Sequence, residues 1–251
     1  MSTLPIKHQL RVLSLETWSE WLRLFRQPAF TLPSLLFPWL FYLFFGVVFG
    51  GANNAEYMLT TYGAFGVVGA GMFGFGVGVA VDRQQGLLQL KRVLPMPMSA
   101  YFLAKIGTCL IFCSLILSGL FLIAILAGGV TLSIGQWLTL TIILIFGSLP
   151  FCCIGLVLGL MSSAQAAPAL INLLYLPMAF LSGLWIPIFI LPAVIQKIAL
   201  IFPAYHLAQM ALAVVGRSQG HPVTLHILML VLFTAICLVL SGKAWRKLND
   251  R

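Results

Sequence analysis

Apolar residues occur along this chain in long runs that short polar segments interrupt. Six runs are long enough to cross a bilayer, because about 20 apolar residues in a helix span its hydrocarbon core. The predicted spans lie at about 30–55, 57–81, 106–129, 137–160, 167–186 and 223–241. No charged side chain occurs between Ile106 and Gln196, where the polar clusters Thr131–Gln136 and Met161–Gln165 separate three of the spans. The pattern predicts an all-α integral membrane protein with six transmembrane helices.

A different pattern precedes the first span, in residues 1–28. Apolar residues recur there at helical spacing and charged residues lie between them; the apolar ones are Ile6, Leu10, Leu13, Trp18, Trp21, Leu24 and Phe25. The spacing predicts an amphipathic helix that lies on the membrane surface and ends near Pro28. An ordinary polar N-terminus is the alternative.

The segment 187–216, between the fifth and sixth spans, is too apolar for an ordinary external loop. Pro187, Pro192 and Pro203 interrupt it before it is long enough to cross the bilayer. We expect two short re-entrant helices here, because irregular backbone is tolerated at membrane depth where protein surrounds it.

Composition and charge set the orientation. Apolar residues make up 61% of the chain and charged residues 8%, which excludes a soluble domain, and the net charge is +9. In membrane proteins Lys and Arg concentrate in cytoplasmic loops, so the positive charge requires no nucleic acid. With both termini inside, six spans leave only Lys197 and Arg217 of the fourteen basic residues outside. The prediction is therefore an N-in, C-in topology with a basic tail at 246–251.

Small residues follow one face of the second span. They recur every four residues, at Gly66, Ala70, Gly74 and Gly78. Such a row allows another helix to approach closely, so we expect these residues to pack helices rather than to face lipid.

Several kinds of functional group are missing from the sequence, and their absence restricts the functions to be considered. The predicted spans hold no Asp, Glu, Lys or Arg, which disfavours a carrier driven by protons or sodium. No glycine-rich phosphate loop with its lysine is present, so the chain has no common ATP site of its own. The five cysteines fall in apolar stretches and are interpreted as buried side chains, with no metal site. No nucleophile with a neighbouring base is evident, so we expect a protein that is not an enzyme.

Polar residues inside the apolar stretches are few. Asn172 and Tyr175 lie in the fifth span, where they either bond to another helix or line a translocation path. His206 lies near the predicted outer surface, as an ordinary interfacial histidine or as part of a gate.

One polar segment remains, "DRQQGLLQLKRVLPMP" at 82–97, between the second and third spans. Leu87, Leu90 and Leu94 fall on one face of a short helix, and Pro95 and Pro97 fix its end. A narrow apolar ridge with polar flanks fits a groove on another protein. The alternative is a loop that only sets topology.

The order of the motifs resembles the membrane subunit of ABC-2 type ABC transporters, over about residues 10–245. The first motif is the start of the segment 82–97, with Asp82, Arg83, Gly86 and Pro95. The second comprises "LSGLWIP" at 181–187, "LP" at 191–192 and "PAYH" at 203–206. The resemblance assigns residues 29–245 to a six-helix ABC-2 transmembrane domain.

This resemblance implies a multi-pass permease in the bacterial inner membrane that works as a dimer, or with a related second subunit. Separate ABC ATPase subunits bind the ATP and Mg²⁺, so this chain binds no cofactor directly. A coupling helix at 82–97 docks into the ATPase. Its candidate residues are Asp82, Arg83, Gly86, Leu87, Leu90, Lys91, Leu94 and Pro95.

The implied activity is efflux of a hydrophobic or amphiphilic substrate, such as a drug, a lipid or a lipid-linked glycan. The candidate translocation and gating residues are Asn172, Tyr175, Gly183, Pro187, Pro192, Pro203 and His206. The alternatives are an ATP-independent carrier or channel and a membrane assembly factor.

Overall fold

The computed structural model describes residues 6–26, 28–50, 52–93 and 98–249, and these residues form helices and short connections with no β-strand among them. The helices are α1 (Ile6–Phe25), α2 (Pro28–Phe41, continued by a π-helical stretch at Tyr42–Val48), α3 (Ala52–Gln84), α4 (Leu87–Val93), α5 (Met98–Leu126), α6 (Ile134–Phe146), α7 (Leu149–Met161), α8 (Ala167–Leu181), α9 (Ala193–Ala199), α10 (Pro203–Val214) and α11 (Val223–Asn249).

Among the described residues, five helical segments are long and apolar enough to cross a membrane. They are Thr31–Val48, Asn54–Gln84, Ala100–Leu126, Ile134–Met161 and Val223–Arg246. Helices α9 and α10 form a sixth candidate if they are taken together, but they bend by 95° at the break between them. The prediction of an all-helical membrane protein is confirmed, and the six predicted spans compare with five or six candidate spans in the structure.

The predicted span at 167–186 differs from the structure. Helix α8 has 15 residues, about 22 Å of helix, which is shorter than the roughly 30 Å hydrocarbon core. It ends at Leu181 because Gly183 takes a left-handed conformation, with φ +76°. The Leu184 N–H then donates to the Ala179 carbonyl, as glycine-terminated helix ends commonly do.

The fourth span is divided into α6 and α7. Ser133 and Gln136 cap the start of α6 reciprocally, which satisfies backbone N–H groups that have no partner within the helix. The break follows at Gly147 and Ser148, and Pro150 stands in the first turn of α7, where its missing N–H costs little.

Helix α1 differs from a simple surface helix. Its acidic residue Glu20 is buried against the bundle, whereas Leu15, Trp18 and Phe25 are each more than half exposed. The face of α1 that carries Glu20 and Trp21 therefore packs on the bundle, and Leu15, Trp18 and Phe25 point away from it.

Helix α3 lies at the centre of the bundle, where it contacts α2, α5, α7, α8 and α10. Its closest approach is to α7. A Cβ added to Gly155 would lie 2.6 Å from the Met72 carbonyl oxygen, and one added to Gly159 would lie 2.4 Å from the Gly76 carbonyl oxygen. The two backbones are therefore in direct contact, as small residues four apart allow in membrane helices.

The small-residue row predicted on α3 is separate from this close contact with α7. Gly66 is packed against Pro38 and Ile116, and Ala70 is buried. Gly78 lies near the Lys105 ammonium, whereas a Cβ on Gly74 would meet no atom within 4 Å. The structure thus packs the row closely at its start and leaves space around Gly74.

We expect Gly155→Val to separate α3 from α7 and to lower the thermal unfolding midpoint of the purified protein. Overpacking a core usually costs about 1–3 kcal/mol, and here the contact is backbone that cannot turn away. Gly74→Val is the matched control, since the space around Gly74 accepts the side chain. Equal unfolding midpoints for the two variants would contradict the close contact between α3 and α7.

Candidate functional site

The segment after α3 forms a short exposed helix at one end of the bundle. Gly86 makes the turn with φ +74°, and α4 then occupies Leu87–Val93. Leu88 is buried at 3% exposure, whereas Leu90 is 59% exposed and Gln89 is also exposed. Gly86 and Leu87 are half-buried, and Leu94, Pro95 and Pro97 lie outside the described residues. The outward face of α4 therefore includes Gln89 and Leu90.

Lys91 attaches α4 to the rest of the bundle. It is buried, its ammonium forms an ion pair with Glu16 of α1, and it lies 4.6 Å from the centre of the Tyr101 ring on α5. One side chain thus holds α4 against two other helices.

Four more charged residues form a buried ion network beside this contact. The buried ion network, as we use the term, consists of the buried residues Glu20 of α1, Asp82 of α3 and Lys105 of α5 and of the half-buried Arg23 of α1. Lys105 Nζ lies 2.8 Å from Glu20 Oε2 and 3.0 Å from Asp82 Oδ2. Arg23 pairs with Asp82 and lies 3.2 Å from Glu20. Two positive and two negative charges therefore balance one another where α1, α3 and α5 meet.

Asp82 is the centre of this ion network. Its side chain is fully buried, and the Tyr101 hydroxyl donates to Oδ2 at 2.6 Å. Burial lowers the pKa of Arg23, but Glu20 and Asp82 outweigh that effect and the pKa is raised overall. A buried carboxylate is stable only when it is paired in this way, so the three helices hold their positions together.

The last turn of α3 is also tied to α7. Arg83 donates to the carbonyl oxygen of Leu160 and, at 2.7 Å, to that of Ser162. The Gln84 side chain accepts from the Ala164 N–H at 3.0 Å. A cation at the C-terminus of a helix satisfies carbonyls that have no partner within the helix and opposes the helix dipole. Asp82, Arg83 and Lys91 thus face inward, although the sequence suggested a surface for a partner.

An aromatic groove with a volume of about 450 Å³ lies between α2, α3 and α8. Its aromatic walls are Phe37, Phe41, Phe65, Phe73, Tyr175 and Trp185. Tyr175 is buried and donates to the Phe65 carbonyl at 2.9 Å, whereas Asn172 is exposed on the groove. Most of the groove surface is thus apolar, with few polar groups to orient a ligand.

The remaining predicted gating residues lie outside the groove, in the segment that follows α8. Gly183 forms the turn and Pro187 precedes a short 3₁₀ turn at Ile188–Ile190. Pro192 directly precedes α9, and Pro203 is the first residue of α10. His206 is buried: its Nδ1 shares a hydrogen bond of 2.8 Å with Nδ1 of His226, and its Nε2 lies 3.0 Å from the Leu200 carbonyl. The seven predicted translocation and gating residues therefore form two groups: Asn172 and Tyr175 at the groove, and the other five in the segment after α8.

The apolar helices define a multi-pass membrane protein. Residues 11–215 match the sequence model of the ABC-2 type transporter family, so the chain belongs to that family. Its members are transmembrane transport components that typically lack an ATPase site of their own and partner with an ABC ATPase subunit. A protein described as "Putative transport permease YvfS", from Bacillus subtilis (strain 168), is 29% identical over 244 residues, which is 95% of this chain and 98% of that protein. The predicted family is confirmed.

Sequence reasoning missed the buried ion network. It assigned Glu16 and Glu20 to the polar face of a surface helix and Asp82 to a docking segment. The signal in the sequence was the small number of acidic residues. The chain has only five, and three of them, Glu16, Glu20 and Asp82, form these ion pairs. Glu16 and Glu20 are also four residues apart, on the same face of α1.

We expect Asp82→Asn to destabilise the protein, because Arg23 and Lys105 would keep their charges with one carboxylate fewer. Removing one partner of a buried ion pair typically costs about 3–5 kcal/mol. The measurement is the thermal unfolding midpoint of the purified protein. Glu56→Gln is the control, since it removes the same charge from a half-buried carboxylate outside the ion network. An unchanged midpoint for Asp82→Asn would contradict the structural role of the ion network.

Proposed function

We propose that this chain is the permease subunit of an ATP-driven exporter in the bacterial inner membrane. Two permease copies, or two related ones, work with separate ATPase subunits that bind ATP and Mg²⁺. The observation that carries this function is α4, a short helix with an exposed Leu90 that is anchored from behind through Lys91. Both termini lie in the cytoplasm in this proposal, because the basic residues concentrate at the end of the bundle that carries α4.

Helix α4 is the proposed contact with the ATPase. Leu90, with Gln85 and Gln89 beside it, is exposed and offers an apolar centre with polar flanks. Such a centre fits a partner's groove, since a few residues buried near the centre of an interface usually carry most of the binding energy. Asp82, Arg83 and Lys91 position this surface from within the chain.

The buried ion network carries the movement into the membrane. A displacement of α4 acts on α1 through the pair of Lys91 with Glu16. Helix α1 in turn acts on α3 and α5 through Glu20, Arg23, Asp82 and Lys105. Separating a buried ion pair without water is costly, so in this proposal the helices that these pairs join move together.

The aromatic groove is one half of the proposed substrate path. Helices α2 and α8 expose large apolar side chains beside it, among them Leu36, Leu40, Leu173 and Leu176. Two copies that meet through these faces enclose both grooves in one aromatic cavity. Its walls suit a hydrophobic or amphiphilic molecule, such as a drug, a lipid or a lipid-linked glycan.

The segment after α8 forms the proposed outer closure of this path. Trp185 lines the groove, and its carbonyl accepts from the Tyr62 hydroxyl at 3.3 Å, which ties the start of the segment to α3. Beyond it, Pro187 through His206 form short helices that re-enter the outer leaflet in this proposal. Alternating access then consists of moving α3 against α2 and α8 below this closure.

Leu90→Glu tests the docking surface. We expect it to abolish co-purification of the partner ATPase subunit, because a charge would enter the apolar centre, while the permease still inserts and is monodisperse. Gln89→Glu adds the same charge to the neighbouring exposed position and should weaken binding much less. Retained ATPase binding and transport by Leu90→Glu would contradict the assignment of α4.

Cross-linking tests the arrangement of the two copies. In a variant without native cysteines, we expect Leu173→Cys on α8 to yield covalent dimers with a short bifunctional maleimide, since Leu173 is 73% exposed on the proposed dimer face. Leu228→Cys on α11 is the control, because it is similarly exposed at 64% on a helix outside that face. Dimers from Leu228→Cys alone would contradict the arrangement.

A further inference from the structure

A second cavity, with a volume of about 640 Å³, lies between α5, α7 and α11. None of the described residues that line it also lines the aromatic groove. Its walls include Leu103 and Ile106 of α5, Leu156 of α7 and Leu238 of α11. A volume of this size is within the range of about 300–1,000 Å³ that is typical of small-molecule sites.

The chemistry of the wall selects an apolar occupant. Its two hydroxyls are already bonded within α11: Thr234 donates to the Leu230 carbonyl and Ser241 to the Cys237 carbonyl, each at 2.7 Å. A ligand with polar groups in this cavity would lose its bonds to water and gain few in return. The wall therefore favours plain hydrocarbon.

The depth of the cavity matches one leaflet. Along α7 it extends from Leu149 to Leu160, which is about 17 Å of helix. One leaflet contributes about 15 Å to the hydrocarbon core. Leu149 lies near the middle of the span Ile134–Met161, and Leu160 lies where Arg83 ties α3 to α7. The cavity thus runs from mid-membrane to the end of the bundle that carries α4.

Exposed positive charge occurs on α11 near this end of the cavity. Trp245 lines the mouth and packs against Phe102 of α5, with ring centres 5.8 Å apart. Lys243 and Arg246 are exposed on the same two turns of α11. Arg246 lies four residues after Gly242, which lines the cavity, and the long side chains of Arg246 and Lys243 can reach an anionic headgroup at the membrane surface.

We propose that one acyl chain of an anionic phospholipid from the cytoplasmic leaflet occupies this cavity, with its headgroup beside Lys243 and Arg246. The choice of leaflet rests on the topology in the proposed function. Binding itself requires no ATPase subunit, so it can be measured on the permease alone and separately from transport.

Photo-cross-linking in nanodiscs tests the site. The probes are phosphatidylglycerols with a diazirine either at the end of one acyl chain or near its carboxyl group, and phosphatidylcholines labelled in the same way. We expect the chain-end probe to label α7 near Leu149 and Cys153, and the other probe to label α11 near Ser241 and Trp245. Phosphatidylglycerol should label more strongly than phosphatidylcholine. If the chain-end probe labelled α11 near Ser241 and the probe near the carboxyl group labelled α7 near Leu149, the choice of leaflet would be overturned.

Gly242 offers a way to fill the cavity. It lines the cavity, and a Cβ there would meet no atom within 4 Å, so Gly242→Phe places a ring in open space. We expect labelling of both sites to fall about tenfold. Val239→Phe is the matched control, since Val239 is 59% exposed on the same helix and does not line the cavity. If the Gly242→Phe protein is not monodisperse, Leu103→Trp replaces it, because it fills the same cavity from α5.

A paired substitution tests the headgroup. Lys243→Gln with Arg246→Gln should remove the preference for phosphatidylglycerol and leave labelling by phosphatidylcholine unchanged. Labelling spread evenly over the exposed faces of α5 and α11, and insensitive to Gly242→Phe, would show bulk lipid only and overturn the proposal. An unchanged headgroup preference in the paired variant would overturn the role of Lys243 and Arg246.

Discussion

A carboxylate buried inside a membrane protein constrains everything around it. Asp82 is fully buried, so the free energy of the folded state depends on the positive charges and the hydroxyl that surround it. Those groups come from α1 and α5, and the next residue, Arg83, reaches the end of α7. A single turn of α3 therefore fixes the relative positions of four helices. Helix α4 begins at Leu87, four residues after Arg83, and takes its orientation from that turn.

The centre of the bundle follows a second constraint, which is the close contact of α3 with α7. Between membrane helices the gain comes from packing, because lipid is as apolar as the side chains. Gly155 and Gly159 bring the backbones together and leave α3 surrounded by other helices. Helix α11 is less buried and packs mainly on α7 and α10. The apolar cavity lies along this outer helix, and the aromatic groove lies beside α2 and α8, so lipid and substrate have separate places in our proposals.

Much of the architecture was predictable from the sequence, since runs of apolar residues dictate where helices cross a membrane. Four of the predicted spans match helical segments closely, and the first matches in part. The span at 167–186 was predicted too long, because composition alone does not show that Gly183 adopts a positive φ and ends α8. The segment at 82–97 was identified as a short helix with Leu90 on its ridge, and α4 has Leu90 exposed.

Hydropathy and local spacing act over short stretches of chain, so the sequence was enough to predict the membrane class, the family and the position of the exposed helix α4. That Asp82, Arg83 and Lys91 point into the protein follows from the packing of the helices and was not predictable in this way. Their partners lie far away in sequence, at Glu16, Glu20, Arg23 and Lys105 and in the backbone of α7. In the sequence, a charged residue next to an apolar span that faces water cannot be distinguished from one that is paired with another charge. Its role depends on which helices pack together, and that is a property of the whole fold.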